Sequence, residues 1–453
     1  MHVAAEASVP ANEWSTTERS VVTKFRWRVL VPIVVLIVLS SLDRVNISFA
    51  ALQMNAELGL TPERYGFGVG LFFVGYLAFQ FPHTALLRRF GPRRWIFVTV
   101  LCWGVIATAL GFIQNAAHFY ALRVLLGFAE AGFAPGIVYI MSQWLPRRFR
   151  ALGIAGTMLA IPISIVFGGP LSGWLMTVDA HGQLPGWRFM FLIEGGATLL
   201  VAFATPWFFA DTPAAARFLT ADEKLWLERE LERDRASSVV HQADVASFRE
   251  VVRSGRVWAA AGVWFSLMSG AYGIIYWLPQ VIKQISGRGD LEVSVLSALP
   301  WAALGAGMLI NAWHSDRTQE RYLHIGVPAL LAAAGLVLGA NVASPALALL
   351  CLCLGAFGLG SSQGAFWALP TSFLPPAVAA SGITLINLLG SSGGLVAPPA
   401  IGWLRARAGS FGEAVYGLAA LLVLGAALLV IIYRESAAQR SAAEPIEPLT
   451  RHS

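Results

Sequence analysis

Apolar runs of about 20 residues, the length that spans a hydrocarbon layer as a helix, recur along the chain with short polar intervals between them. Candidate crossings fall at 27–49, 65–87, 95–113, 118–141, 151–177 and 187–209, then at 257–278, 291–313, 322–341, 345–370, 377–404 and 411–433. The interval 211–256 differs: it holds the mixed-charge run ADEKLWLERELERDR at 221–235. There Leu225, Trp226, Leu227 and Leu231 can form one apolar stripe on a short interfacial helix while the charges stay in water. This linker divides the crossings six and six.

Basic residues in the short intervals give a direction, because cytoplasmic flanks are richer in Lys and Arg. Arg88, Arg89, Arg93 and Arg94 lie between crossings two and three, none lies in the QNAAH interval that follows, and Arg147, Arg148 and Arg150 follow crossing four. Both termini are therefore expected inside. The first 24 residues carry Glu6, Glu13, Glu18 and Arg19 without a continuous apolar core, unlike a cleaved signal peptide. Arg405 and Arg407, in the last short external turn, depart from the trend.

Composition narrows the function class. Of 453 residues, 56% are hydrophobic and only 13% charged, about half the charged fraction of an ordinary soluble chain, so a large soluble enzyme is excluded. The net charge of +6 is confined to intervals between apolar runs, and no nucleic-acid partner follows from it. Cys102, Cys351 and Cys353 lie inside apolar runs, which suggests neither a disulfide framework nor a zinc cage. The GLG and GSSGG pieces lack the strand, glycine loop, lysine and helix of a nucleotide site. His83, His118, His314 and His324 have no metal-ligand spacing. No cofactor, metal or ATP-driven engine is expected.

The two sets of crossings echo one another. GGPLSGWL at 168–175 and APPAIGWL at 397–404 repeat Pro170, Gly173, Trp174 and Leu175 as Pro399, Gly402, Trp403 and Leu404. Two similar halves that rock about a central cavity are a known transporter solution.

Charges inside the crossings are the candidate chemistry, since a membrane helix turns them toward protein or water. The first crossing carries Asp43, Arg44 and Asn46. Asp43 and Asn46 share a face and Arg44 projects about 100° away. In the fourth, Arg123 and Glu130 lie about 10 Å apart along one face, too far for a simple intrahelical pair. A low-dielectric surrounding favours a protonated Glu130 and an approaching cation favours the ionised form, as proton coupling requires. Tyr76 and Gln80 share a face of crossing two. The second half is poorer in charge and offers Tyr272, Tyr276, Gln363, Trp367, Thr371, Thr384, Asn387, Ser391 and Ser392. Small residues and prolines in GFAEAGFAPG (127–136) and LLGSSGGLVAPPA (388–400) permit close packing and helix interruption.

These residues resemble the major facilitator superfamily, specifically its anion:cation symporter family of sugar-acid, tartrate, phthalate and other organic-anion carriers. The resemblance covers about residues 25–435. It rests on LDRVNISFA (42–50), FFVGYLAFQFP (72–82), LRVLLGFAEAGFAPGIVY (122–139), GPLSGWL (169–175) and WALPTSFLP (367–375). It implies an all-α integral membrane protein with twelve transmembrane helices in two six-helix bundles, 25–209 and 257–434. A cytoplasmic tail at 1–24, a central cytoplasmic loop at 210–256 and a second tail at 435–453 complete the chain. The implied activity is proton-coupled uptake of a small organic anion by alternating access across a cell inner membrane, one chain sufficing as a monomer. An uncoupled facilitator and a proton-antiport efflux carrier are the alternatives. Residue by residue, the resemblance implies proton coupling at Asp43 and Glu130 and substrate contacts at Arg44, Arg123, Tyr76, Gln80, Trp367 and Asn387. Arg88, Arg89, Asp316 and Arg317 are expected in gating loops. A common acid of the loop between crossings two and three is missing from HTALLRRFGPRR, while Asp316 stands in HSDRTQER.

Overall fold

The computed structural model describes residues 14–178, 184–237 and 245–443. Parts of both tails and of the central loop (1–13, 238–244 and 444–453), residues 179–183 and the side chains of Arg147, Arg148 and Arg150 lie outside the described residues. Every regular element among the described residues is helical. An α-helix satisfies its own backbone hydrogen bonds, which hydrocarbon cannot do for it.

Helix α1 (Thr16–Phe25) runs through a π-helical turn, Arg26–Leu30, into α2 (Val31–Glu57). After it come α3 (Pro62–Phe90), α4 (Pro92–Ala109), α5 (Ala116–Glu130), α6 (Phe133–Trp144), α7 (Arg147–Thr177) and α8 (Gly186–Phe208). The central segment forms α9 (Ala221–Ser237) and α10 (Val245–Arg253), and α11 (Gly255–Ser286), α12 (Asp290–Thr318) and α13 (Tyr322–Asn341) follow. The chain ends in α14 (Pro345–Phe366), α15 (Ala368–Phe373), α16 (Pro376–Ser391), α17 (Gly393–Ala408) and α18 (Gly412–Ala443). Among the described residues eleven helical stretches are long and apolar enough to cross a bilayer. Pro62–Gln80 and Pro82–Phe90, bent by 52°, make a twelfth when counted as one span. Three spans are interrupted: α5 gives way to α6 at Ala131 and Gly132, α14 to α15 at Trp367, and α16 to α17 at Ser392.

Local sequence sets the helix ends. Thr61 Oγ1 accepts the Arg64 N–H at 3.3 Å ahead of Pro62, and Asn115 Oδ1 accepts the His118 N–H at 2.9 Å. Both satisfy amides that a helix start leaves open. Gly91 separates α3 from α4 at φ +79, a conformation closed to most side chains.

Two compact units emerge from the contacts. The first holds the described residues of Met1–Val240, Ile274–Ala302 and Pro398–Ser410, and the second those of His241–Gly273, Ala303–Ala397 and Phe411–Ser453. In the first, α3 and α5 touch backbone to backbone. A Cβ at Gly127 would overlap the Phe72 carbonyl oxygen, and one at Gly75 would lie 2.7 Å from the Phe128 nitrogen. In the second, α13 and α14 use the same device, with the place of a Gly358 Cβ 2.7 Å from the Ala332 nitrogen. Small residues allow such approach where apolar burial offers little drive between helices already in lipid.

The central segment's α9 packs on α1. Leu227 and Leu231 are buried there with Glu223, whereas Leu225 is 51% exposed, so the buried face is narrower than the stripe read from sequence. Glu223 accepts hydrogen bonds from Ser20 Oγ at 2.6 Å, the Thr220 N–H at 2.7 Å and Lys24 Nζ at 2.8 Å. Burial pushes its carboxyl up, but these bonds and the Lys24 charge hold it down at about 2.

Replacing Gly127 by Val should cost about 1–3 kcal/mol through overpacking, measured as a lower unfolding midpoint in detergent. The Glu223 carboxyl binds its proton more weakly folded than at its ordinary value of 4.5. Its contribution is therefore full above that pH and is lost as the pH falls toward about 2. Glu223→Gln should remove roughly 1–2 kcal/mol at neutral pH and flatten the acid side of the stability profile.

Candidate functional site

The first compact unit gathers the charges that the sequence scatters over three apolar runs, with Tyr76 from a fourth. Asp43 and Arg44 come from α2, Arg123 and Glu130 from α5, Tyr76 from α3 and Glu194 from α8. Asp43, Arg123, Glu130 and Glu194 are each at most 3% exposed. Charges at such depth are tolerated only when paired or hydrogen-bonded.

Arg44 and Glu130 form the central ion pair. Arg44 Nε donates to Glu130 Oε2 at 2.7 Å, and Ser40 Oγ donates to the same oxygen at 3.2 Å. Arg44 also lies over the Tyr76 ring at 5.0 Å and the Phe72 ring at 5.7 Å. Arg123 approaches Phe72 at 4.9 Å, so that one ring meets both guanidinium groups, and Tyr276 at 5.8 Å. All three Arg123 guanidinium nitrogens are buried and lack a hydrogen-bond partner among the described residues, as does Glu130 Oε1.

A second network surrounds Asp43. Its Oδ2 accepts from Trp103 Nε1 at 2.5 Å and Thr198 Oγ1 at 3.4 Å. Asn46 Nδ2 donates to Asp43 Oδ1 at 3.3 Å and to Glu194 Oε2 at 3.0 Å, so one amide bridges two buried carboxyls. Ser172 Oγ completes the set by donating to Glu194 Oε1 at 2.7 Å. Sequence reasoning did not single out Glu194, Trp103 or Ser172. Glu194 carries the signal that marked Asp43 and Glu130, an acid within an apolar run, here FLIEGGATLL at 191–200.

The other expected residues are distributed more widely. Gln80 is half-buried at the bend of α3, where its backbone carbonyl accepts from Thr84 Oγ1 at 3.2 Å. Trp367 and Asn387 belong to the second unit. Trp367 stands edge-on to Trp264 at 4.8 Å, and Asn387 Oδ1 accepts from Ser391 Oγ at 3.4 Å. Arg88 and Arg89 are exposed at the end of α3. An acid does meet the turn after them: Asp211, beyond α8, accepts the Arg93 N–H at 3.1 Å. In the second unit Asp316 pairs with Arg321 at 2.7 Å and Arg317 lies over Trp313 at 5.6 Å. Burial works against the Glu320 charge in that turn. The Leu323 N–H and the His324 ring and N–H nevertheless hold its carboxyl below the ordinary range.

A protein-family model described as the Major Facilitator Superfamily matches residues 33–398. Among curated relatives, a protein of Agrobacterium vitis named "Putative tartrate transporter" is 39% identical over 92% of both chains. The quinolone resistance transporter of Acinetobacter baumannii is 35% identical over 94% of this chain and 97% of its own. The inner membrane transport protein RhmT of Escherichia coli K12 is 36% identical over 90% of this chain and 94% of its own. In fold, the chain is similar to the crystal structure of a bacterial homologue of the human lysosomal transporter Spinster. That match has a TM-score of 0.76 and 17% identity over 90% of this chain and 97% of the other. A D-xylose–proton symporter matches with a TM-score of 0.69 and 17% identity over 89% and 97%. With its helices, its buried charges and these relatives in accord, the chain belongs to the major facilitator superfamily as a multi-pass secondary transporter.

Proposed function

We propose that this transporter carries a small organic anion together with protons, and that Arg123 and Arg44 receive the anion's carboxylate. The observation that carries the reading is the Arg123 guanidinium, wholly buried with its three nitrogens unpartnered among the described residues. Such a group is costly unless an anion meets it, and its planar fork suits a carboxylate. The relative from Agrobacterium vitis named for tartrate supports the same substrate class. Tyr76 and Gln80 would supply neutral contacts around it, and Trp367 and Asn387 are the substrate contacts proposed in the second unit.

Proton coupling follows from charge counting. Asp43, Glu130 and Glu194 would contribute three negative charges against two positive charges from Arg44 and Arg123. One proton cancels the surplus, which low-dielectric surroundings disfavour. The Asn46 bridge gives it two adjacent carboxyls, Asp43 and Glu194. A second proton at Glu130 would break the pair with Arg44 and free that guanidinium for the incoming carboxylate. Anion and proton thereby enter together. Departure of the anion lets Arg44 recapture Glu130 and expel the proton.

The expected direction is uptake across the inner membrane, with both termini cytoplasmic. The moving bundles would be 25–209 and 257–434, and Arg88, Arg89, Asp316 and Arg317 would lie in the gating loops. The Escherichia coli relative named as an inner membrane transport protein supports that location. The quinolone resistance relative favours a second reading, proton-antiport efflux.

Purified protein in liposomes with an inward-acid gradient should accumulate labelled tartrate, a sugar acid or an aromatic carboxylate, and a protonophore should abolish the accumulation. Glu130→Gln should reduce gradient-driven accumulation by at least about tenfold, as loss of a proton-transfer group does, while anion exchange at equal pH persists. Arg123→Lys should raise KM about tenfold by losing the bidentate fork. Entry that is indifferent to both the gradient and Glu130→Gln would overturn coupling. Loading driven only in inverted vesicles would select efflux.

A further inference from the structure

Apart from the buried charges, the first unit holds a second polar concavity. Its volume is about 550 Å³, and it is bounded by the last turns of α2, the start of α3 and the ends of α11 and α17. Asn55, Gln280, Lys283, Gln284 and Arg405 supply its polar lining, and among the described residues no Asp or Glu lines it. The size lies within the range of small-ligand pockets, roughly 300–1,000 Å³.

The cations are held in place differently. Lys283 Nζ binds Asp290 Oδ1 at 2.5 Å, and the other Asp290 oxygen accepts from Gln53 Nε2 at 2.9 Å. Arg405 donates to Gln280 Oε1 at 2.9 Å and lies 5.8 Å from the Trp277 ring. Lys283 is thus held in an ion pair, and Arg405 is held beside Gln280 in the lining of the concavity. Gln280 is 9% exposed, and its Nε2 donor has no partner among the described residues.

Arg405, in the lining of the concavity, also reaches an aromatic cluster through Trp277. Trp277 stands edge-on to Tyr65 at 5.0 Å, Tyr65 Oη donates to the Tyr276 carbonyl at 3.0 Å, and Arg123 lies over the Tyr276 ring. Beside this cluster α3 and α17 meet with no room for side chains. A Gly66 Cβ would overlap the Pro398 carbonyl oxygen, and a Gly402 Cβ would overlap that of Pro62. The same aromatic cluster therefore meets Arg405 through Trp277 and Arg123 through Tyr276.

We infer that this concavity is a second anion site, a vestibule in which Arg405 and Lys283 hold a small organic carboxylate before the aromatic cluster opens toward Arg123. The inference rests on the proposed organic-anion transport. Because Asp290 already pairs with Lys283, Arg405 is the main cation for this role; a cationic group in a cleft concentrates its counter-ion and speeds capture, and the effect fades as salt screens it. The vestibule then acts on substrate capture, whereas Arg123 and Arg44 act on the transported state.

Phenylglyoxal labelling of Arg405, followed by mass spectrometry of the purified full-length protein with tartrate, benzoate or inorganic phosphate as competitor, tests occupancy directly. A carboxylate should slow Arg405 labelling about twofold or more, the effect of half-saturating or higher occupancy, and should do so equally in wild type and in Arg123→Gln. In liposomes, Arg405→Gln should raise the KM for uptake about three- to tenfold at low ionic strength with kcat nearly unchanged, Arg405→Lys should restore it, and the difference should shrink as salt rises. Unprotected Arg405, or protection lost together with Arg123, would overturn the vestibule, and wild-type uptake would then leave the transport reading standing. Protection by phosphate but by neither carboxylate would overturn the assigned ligand class. Protection without any wild-type uptake would overturn the transport reading and leave a carboxylate site.

Discussion

The cost of holding ionised groups away from water governs this molecule, and the pair between Arg44 and Glu130 is where that cost is met most directly. A buried charge without a partner is destabilising by several kcal/mol, and removing one member of a buried pair leaves the other exposed to that full penalty. Arg44 reaches Glu130 from another helix at 2.7 Å, with Ser40 on the same oxygen. The pair therefore fixes α2 against α5. Around it the faces of Phe72 and Tyr76 lie against the Arg44 guanidinium, and Phe72 also meets that of Arg123. Without these rings the site would combine low dielectric with exposed charge, a state that hydrocarbon cannot support.

Helix packing makes this electrostatic arrangement possible. Arg123 and Glu130 can face α3 because Gly75 and Gly127 bring the two backbones into contact, so Phe72 and Tyr76 stand directly over the charges. The sequence echo near the ends of crossings five and eleven has a similar physical content. Gly173 lies where a Cβ would overlap Ser294 of α12, and Gly402 lies where one would overlap Pro62 of α3. Each repeated glycine permits a close helix contact. The tryptophan that follows in each copy, Trp174 and Trp403, remains exposed. Conformational change in such a protein exchanges one set of close contacts for another, since packed interfaces switch between discrete arrangements.

The helical architecture was legible because each crossing is a long apolar run, and the charged residues Asp43, Arg44, Arg123 and Glu130 stood out against those runs. Their pairing was not legible. Arg44 and Glu130 are 86 positions apart, and whether they meet depends on how α2 and α5 rotate about their axes, which spacing within either helix does not encode. Glu194 was not singled out although the same rule applies to it, a lone acid within the apolar run FLIEGGATLL. The bend of α3 was also hidden, because the run from 65 to 87 reads as one span despite Pro82. Asp211 shows the converse limit. The local sequence between α3 and α4 lacks an acid, and the fold brings one from beyond α8.

In the proposed cycle, the sharing of one guanidinium between an internal carboxylate and an external one is what ties the two fluxes together. If Arg44 had a separate partner for each, anion and proton could bind independently and the gradient would do no work. Competition would make the protonated Glu130 the state with high anion affinity and the ionised Glu130 the state that releases it. A ligand shifts such an equilibrium only by its difference in affinity between the two states. Arginine suits the shared role because it stays charged through the exchange and presents several donors in a fixed plane. Glu130 supplies the complementary property, a charge that can be turned off. Arg123, seven residues before Glu130 in α5 and held on the face of Phe72 of α3, keeps positive charge at the site whichever state Glu130 adopts. The proton then determines when the second guanidinium becomes available, and the anion determines whether the proton stays.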